Sequence, residues 1–309
     1  MSRTFKAIML AAALALPSAT AGASDAPPTA RSQAAADKTP AALAAACAGH
    51  DEWADPAPPA RIFGNTWYVG TCGISAILVT GEKGHILVDG GVAKAAPLVL
   101  ANIRRAGFDP KAVRWIVATH EHFDHVGALA ALQRATGAKI AALAVQKTAL
   151  ETGKPSAQDP QSAGLDPIAP VKVDRVLTDG ATVVVGSLVL TAHATPVHAP
   201  GSTSWTWRSC ASAGDCRRIA YADSTSTISS DGYRFTDHPD RIAAIRKSLP
   251  KIAALPCNIL LTPHPSQSAM MERFAGTKPL ADASACRNYV AAAEDRFAAR
   301  LLKEAKEAR

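Results

Sequence analysis

The 309-residue sequence has no Lys/Arg-rich run, although its formal net charge is +7. The positive excess is dispersed. It therefore reads as solubility, or mild steering of anionic ligands, and no nucleic-acid partner is expected. No apolar stretch is long enough to cross a bilayer, which needs about 20 residues. No C-x-x-C pair marks a structural zinc site. His120-Glu121 begins an H-E-x-x-H helix motif, but Asp124 stands where the second histidine belongs. G-x-S-x-G, S-D-N and K-T-G are all missing. The one S-x-x-K match, at residues 248–251, ends a helical pattern and contains proline. These absences argue against the common serine-nucleophile hydrolases. No fixed-period repeat is visible, so a solenoid is excluded.

What is present begins with an export signature. Arg3 and Lys6 precede an apolar run at residues 7–16, and Ala19-Thr20-Ala21 and Ala21-Gly22-Ala23 offer small-residue cleavage sites. Residues 1–23 are thus expected to be removed. Residues 24–58 read as a leader with a short helix near "TPAALAAACAGH", and residues 59–309 as the folded domain. Six cysteines, an even number, suit an oxidising compartment. Fifteen pairings are open to them. Proximity along the chain favours Cys47 with Cys72, Cys210 with Cys216 and Cys257 with Cys286. Hydrophobic residues at 48% and charged residues at 19% fit a soluble globular core.

From residue 61, strand and helix signals alternate. "IFGNTWYVG", "SAILVT" and "HILVDGG" read as strands, followed by the helix "AAPLVLANIRRAGF", the buried strand "VRWIVATH" and the helix "VGALAALQRATG". The second half opens with the strands "VKVDRVL", "ATVVVG", "SLVLTAHAT", "STSWTW" and "RRIAYADS". A helix over "HPDRIAAIRKSLPKIAAL", a strand "NILLTPHP" and a terminal helix from about Lys278 follow. Both halves run strands first and helices second. The expected fold is α/β in layers, with two sheets face to face and helices outside. Residues 154–170 hold turn formers without apolar period, a loop long enough to be functional.

The densest chemistry lies in "VATHEHFDHVGAL", residues 117–129. His120, His122, Asp124 and His125 follow a buried strand and lead into a helix, so alternate side chains can converge: His120 with His122, and Asp124 with His125. Imidazoles and a carboxylate are a ligand set that zinc accepts. His198 in "ATPVHAPGSTSW" and His264 in "NILLTPHPSQ" sit in turns after strands, which suits further ligands. His193 is a rival to His198 but lies within a strand pattern. His50, His85 and His238 read as ordinary histidines. Asp89, before two glycines, either orients a ligand from behind or is a plain turn aspartate. Asp223, Ser224 and Ser226 in "YADSTS" either cap a turn or act in the site. There Asp223 would bridge two metals and the serines would bind an anionic substrate group.

The series "LVDGG", "THEHFDH", "HAPGSTSW", "YADS" and "TPHP" resembles the metallo-β-lactamase superfamily, over about residues 60–290. "HAPGSTSWTW", "IAYADSTS" and "LLTPHPSQ" resemble more closely the third, histidine-rich subclass of class B β-lactamases. The resemblance implies an αββα sandwich and two zinc ions. His120, His122 and His198 would hold the first, and Asp124, His125 and His264 the second. It also implies that Ser224 and Ser226 bind a substrate carboxylate and that Asp124 orients a zinc-activated hydroxide. The expected enzyme is a monomeric, periplasmic β-lactamase acting on penicillins, cephalosporins or carbapenems and conferring resistance. Two alternatives stand beside it. One is a superfamily hydrolase of a thioester or lactone, with Asp223 bridging the metals. The other is a non-catalytic zinc-binding protein with closed coordination.

Overall fold

A computed structural model describes residues 38–307. The export signal expected at residues 1–23, and residues 24–37 of the leader, lie outside the described residues. Two sheets form the centre. The first runs, in spatial order, β1 (Ala60–Phe63), β2 (Thr66–Tyr68), β3 (Ile77–Val79), β4 (His85–Val88), β5 (Val113–Val117), β6 (Lys139–Leu143) and β7 (Arg175–Leu177). Strands β1 to β4 pair antiparallel, and β4 to β7 pair parallel. The second sheet contains β8 (Thr182–Val185), β9 (Leu188–Ala194), β10 (Thr203–Ser212), β11 (Asp215–Tyr221) and β12 (Ile259–Leu261). Within it β12 joins β11 in parallel, and the other pairings are antiparallel.

Side-chain alternation divides the apolar residues into three cores, and these cores define four layers. Ile77, Val79, Ile86 and Val88 of the first sheet meet Trp205, Trp207, Ile219 and Tyr221 of the second between the sheets. Leu78 and Leu87, one residue out of phase, face outwards. They pack with Val99 and Ile103 of α2 (Ala96–Ala106) and with Leu129 and Leu132 of α4 (Leu129–Thr136). Behind the second sheet, Ala220 and Leu260 pack against Ile245 and Leu249 of α6 (Pro239–Ala253) and Tyr289 and Phe297 of α7 (Ala285–Glu307). Strands covered on both faces explain why "HILV" is an unbroken apolar run. The αββα sandwich expected from the sequence is the fold observed.

Three local readings differ from the structure, and one strand–helix pair has no counterpart in the sequence reading. "IFGNTWYVG" is a hairpin, β1 and β2, turning at Gly64-Asn65. Gly64 has φ +52, and a Cβ there would lie 2.6 Å from the carbonyl oxygen of Cys210, so the turn needs glycine at this place. "VKVDRVL" contributes only β7, which pairs with β6 in the first sheet. The strand β6 and the helix α5 (Ala144–Thr152) occupy "KIAALAVQKTALET", a run with no clear period. The last helix starts at Ala285 rather than Lys278. Asp282 Oδ1 accepts from the Ser284 amide at 2.7 Å, making a turn just before it.

The short helix α1 (Pro40–Ala46), capped by the Thr39 hydroxyl, brings Leu43, Ala44 and Cys47 into the core between the sheets. Cys47 is bonded to Cys72, Cys210 to Cys216 across the β10–β11 hairpin, and Cys257 to Cys286. Among the described residues no helix is long and apolar enough to cross a membrane.

Trp205 is the largest fully buried side chain, and its Nε1 donates to the Ala118 carbonyl at 3.0 Å. Trp205→Ala is expected to lower the free energy of unfolding by about 3–5 kcal/mol, measured by denaturant titration. A loss below about 1 kcal/mol would contradict this packing account.

Candidate metal centre

The site stands at one edge of the two sheets, where strand ends and their loops meet. Strand β5 ends at Val117, and the chain runs through Thr119 into His120 before α3 (Phe123–Val126), which carries Asp124 and His125. The turn after β9 carries His198, and the turn after β12 carries His264. All six expected ligands come together. Ring centroids lie 4.6 Å apart for His120–His122, 4.7 Å for His120–His198 and 4.9 Å for His122–His198. His125 and His264 rings are 4.9 Å apart, and His120 joins the groups at 4.3 Å from His125. Asp124 Oδ2 is 3.0 Å from His125 Nε2 and 3.3 Å from His264 Nε2. Ligand atoms of His120, His122 and His198, and those of His120, Asp124 and His125, each fall within 4.8 Å of one another.

Several imidazoles are held from behind. His120 Nδ1 faces Asp223 Oδ1 at 2.8 Å, and its Nε2 is buried with no hydrogen-bond partner. His198 Nδ1 donates to the Ser226 carbonyl at 2.8 Å. His122 Nε2 donates to Asp159 Oδ2 at 2.8 Å. His125 Nε2 and His264 Nε2 are only 3.2 Å apart. Two imidazole lone pairs at that separation need a proton or a cation between them. A buried unpartnered Nε2 together with converging nitrogens and a carboxylate is the chemistry of a divalent-cation site, so the residues present fit a metal.

Burial, and then the neighbouring His125 and His122, hold His120 well below the usual histidine pKa. Burial followed by His120 and His122 does the same to His198, and burial lowers His264. Burial alone would raise Asp124 and lower His125. Their mutual attraction prevails, leaving Asp124 well below the carboxylate range and His125 raised to about 9. The pocket therefore offers neutral nitrogens together with one carboxylate–imidazole pair, whose proton a bound cation would displace.

Asp89 lies beneath the site rather than in it. Its φ is +62, an unusual conformation for a residue with a side chain. Oδ1 accepts from the Thr119 amide at 2.7 Å, and Oδ2 accepts from the Thr119 hydroxyl at 2.9 Å and the Tyr221 hydroxyl at 2.8 Å. The His125 ring nitrogen Nδ1 is 3.8 Å from Oδ2. Ser224 Oγ is buried without a partner, whereas Ser226 contacts His198 Nδ1 through both its carbonyl and, at 3.0 Å, its hydroxyl. His193 is engaged elsewhere, with Thr206 Oγ1 at 2.8 Å.

Sequence reasoning missed Asp159, Tyr221 and Glu121. Asp159 carries no local motif, and Tyr221 opens "YADS", in which only Asp223 and Ser224 were weighed for the site. Glu121 was read only for the protease motif it fails to complete. Burial pushes Glu121 up to about 7, and its Oε1 accepts from the Gly201 amide at 2.9 Å. This bond fastens the His198 turn to the loop bearing His120 and His122.

A groove of about 750 Å³ opens beside the cluster, lined by Trp53, Phe123, Lys94, Asp166 and Ile168 among others. The Trp53 ring, part of the groove wall, sits 5.7 Å from Phe123 and 6.1 Å from His264, and Phe123 directly precedes Asp124 in the chain.

The family model described as the metallo-beta-lactamase superfamily matches residues 69–217. The structure superimposes on that of the metallo-β-lactamase MIM-1 from Novosphingobium pentaromativorans with a TM-score of 0.85 and 60% identity, covering 86% of this chain and 99% of that one. The chain belongs to the metallo-β-lactamase superfamily. MEM-A1, a subclass B3 metallo-β-lactamase isolated from a soil metagenome library, matches with a TM-score of 0.80 and 39% identity, over 83% of this chain and 100% of that one. Both structural relatives are metallo-β-lactamases matched over nearly their whole length, in keeping with the subclass resemblance of the sequence. A hydroxyacylglutathione hydrolase from Anaeromyxobacter dehalogenans (strain 2CP-C) is 34% identical over 129 residues, 42% of this chain. The match spans 40% of the length of that curated relative, so the likeness is confined to part of each protein.

A Cβ on Gly201 would lie 2.4 Å from Glu121 Oε2. Gly201→Ala should therefore force the His198 turn off its seat and cost about 1–3 kcal/mol of stability, read from thermal or denaturant unfolding of metal-free protein. An unchanged midpoint would show that the turn has slack.

Proposed function

We propose that this metallo-β-lactamase-superfamily chain is a zinc-dependent β-lactamase of the third subclass, exported to the periplasm, that opens the β-lactam amide of penicillins, cephalosporins or carbapenems. The observation that carries this reading is the pair of ligand groups around His120, in a chain 60% identical to a metallo-β-lactamase of the same fold. His120, His122 and His198 would hold one zinc ion, and Asp124, His125 and His264 the other. Zinc bound there supplies Lewis acidity and lowers the pKa of a water towards neutrality.

The chain's own residues have distinct tasks. Asp124, beside His125 and His264, orients the attacking water. Ser224 Oγ, buried with its hydrogen-bonding capacity unspent, receives the carboxylate that β-lactams carry next to the reacting amide. Trp53, Phe123 and Ile168 give the groove an apolar wall for the rest of the substrate, away from bulk water. No acyl-enzyme is involved, in keeping with the missing serine-nucleophile motifs.

The thioester or lactone alternative calls for Asp223 as a bridge between metals. Asp223 instead faces the His120 Nδ1 side, with the cluster at the other ring nitrogen, and Ser224 follows it in the chain. That placement favours the β-lactam reading.

The test is a panel of a penicillin, a cephalosporin, a carbapenem and a glutathione thioester, run on zinc-replete enzyme. Hydrolysis of at least one β-lactam should stop with a chelator and return with zinc. His264→Ala should lower kcat/KM by at least about 100-fold, and Ser224→Ala should act mainly on KM. Thioester turnover with no β-lactam turnover would replace this reading with the alternative.

A further inference from the structure

The loop at residues 153–170 reaches two places at once. Asp166, Pro167 and Ile168 form part of the groove wall. A few residues earlier, Asp159 turns inward, with a side chain that is fully buried beside His122. Asp159 has both oxygens engaged. Oδ2 receives His122 Nε2 at 2.8 Å, and Oδ1 receives the Gln161 amide, also at 2.8 Å. The loop is pinned there by the Ser230 amide, which donates to the Pro160 carbonyl at 2.9 Å.

An ionised carboxylate only accepts. The proton in the His122–Asp159 contact must then sit on Nε2, and Nδ1 is the nitrogen left to offer a lone pair to a metal. His120 and His198 show the reverse arrangement, each presenting Nδ1 to its supporting oxygen. The His120 Nε2 is buried without a partner, and the His198 Nε2 faces the Gln161 side-chain amide at 3.4 Å. His122 therefore enters the cluster through the other ring nitrogen, and nothing within the motif itself dictates that choice. We propose that Asp159 is the positioning residue that fixes His122 as its Nε2–H tautomer, so that Nδ1 faces the first zinc position. The metal-binding state of a motif histidine is thereby set by a residue of the groove loop. The proposal rests on the zinc reading above for the identity of the ion, but the tautomer itself is a property of the metal-free chain.

Two substitutions separate this role from simple bracing of the loop. In Asp159→Asn the Gln161 amide still needs an acceptor, so Oδ1 stays with it and the new NH₂ points at His122. That donor forces His122 to accept on Nε2 and to carry its proton on Nδ1, where a ligand lone pair is needed. In Asp159→Ala a water can fill the space and leave the tautomer free. Zinc affinity of metal-free full-length protein, measured against a chromophoric chelator, should fall for one of the two ions by about 10–100-fold in Asp159→Asn. The fall should be smaller in Asp159→Ala. A bracing role gives the opposite order, because asparagine keeps the shape and the Gln161 contact, and that order would overturn the proposal. Nitrogen-15 NMR of histidine-labelled, metal-free wild type provides a second readout. A His122 resonance pair showing Nε2–H supports the proposal, and Nδ1–H overturns it even if a variant fails to fold. Wild type that takes up no zinc would defeat the β-lactamase reading, while leaving the NMR result to judge the tautomer.

Discussion

The buried carboxylate of Asp89 is the constraint on which the site's geometry depends. It comes from the end of β4, grips both the amide and the hydroxyl of Thr119 at the end of β5, and receives the Tyr221 hydroxyl from the opposite sheet. Three strands from two layers are thereby fixed at one point, next to His120. Burial raises the Asp89 pKa to about 6, against the pull of His125 and the three hydrogen bonds. A group so dehydrated persists only when fully satisfied. Any sliding of one sheet past the other would break at least one of those bonds, so the sandwich and the metal cluster share a single register.

The next tier of support consists of oxygens that point imidazoles. Asp223 addresses His120, the Ser226 carbonyl addresses His198, and Asp159 addresses His122. Clustering five histidines would fail if they carried charge together. Burial and mutual repulsion hold His120 and His198 well below the usual histidine range, while Asp124 and His125 pair inside the cluster. Fixed neutral nitrogens and a single carboxylate leave a net positive charge on any divalent pair held there, which is what an electrophilic centre requires.

How much of this was legible in the sequence follows from how local each signal is. The ligand run at residues 120–125 is compact and needs no folding to be noticed. His198 and His264 were legible because proline and glycine mark their turns. The four-layer sandwich followed from unbroken apolar strands such as "HILV" alternating with amphipathic helices. Asp159 was hidden in a segment without periodicity, and Tyr221 looked like any strand tyrosine, because their significance lies in contacts 37 and 132 residues away. Asp223 was noticed, but its side chain direction could not be derived. Only the structure places it behind His120. The hairpin at Gly64-Asn65 was overrun by flanking apolar residues, and "KIAALAVQKTAL" satisfies strand and helix templates alike, so β6 and α5 had no distinguishing signal.

His125 and His264 touch across 139 residues of chain, and His120 reaches its supporting Asp223 across 103. The chain up to the end of the first sheet carries His120, His122, Asp124 and His125, two of the three residues in each expected ligand group. The third comes from the second sheet, His198 from the turn after β9 and His264 from the turn after β12, which follows the Cys257 bridge to the final helix. Each expected group is therefore complete only in a chain whose two sheets have packed together, so uptake of metal by the full set reports on the closure of the sandwich as a whole.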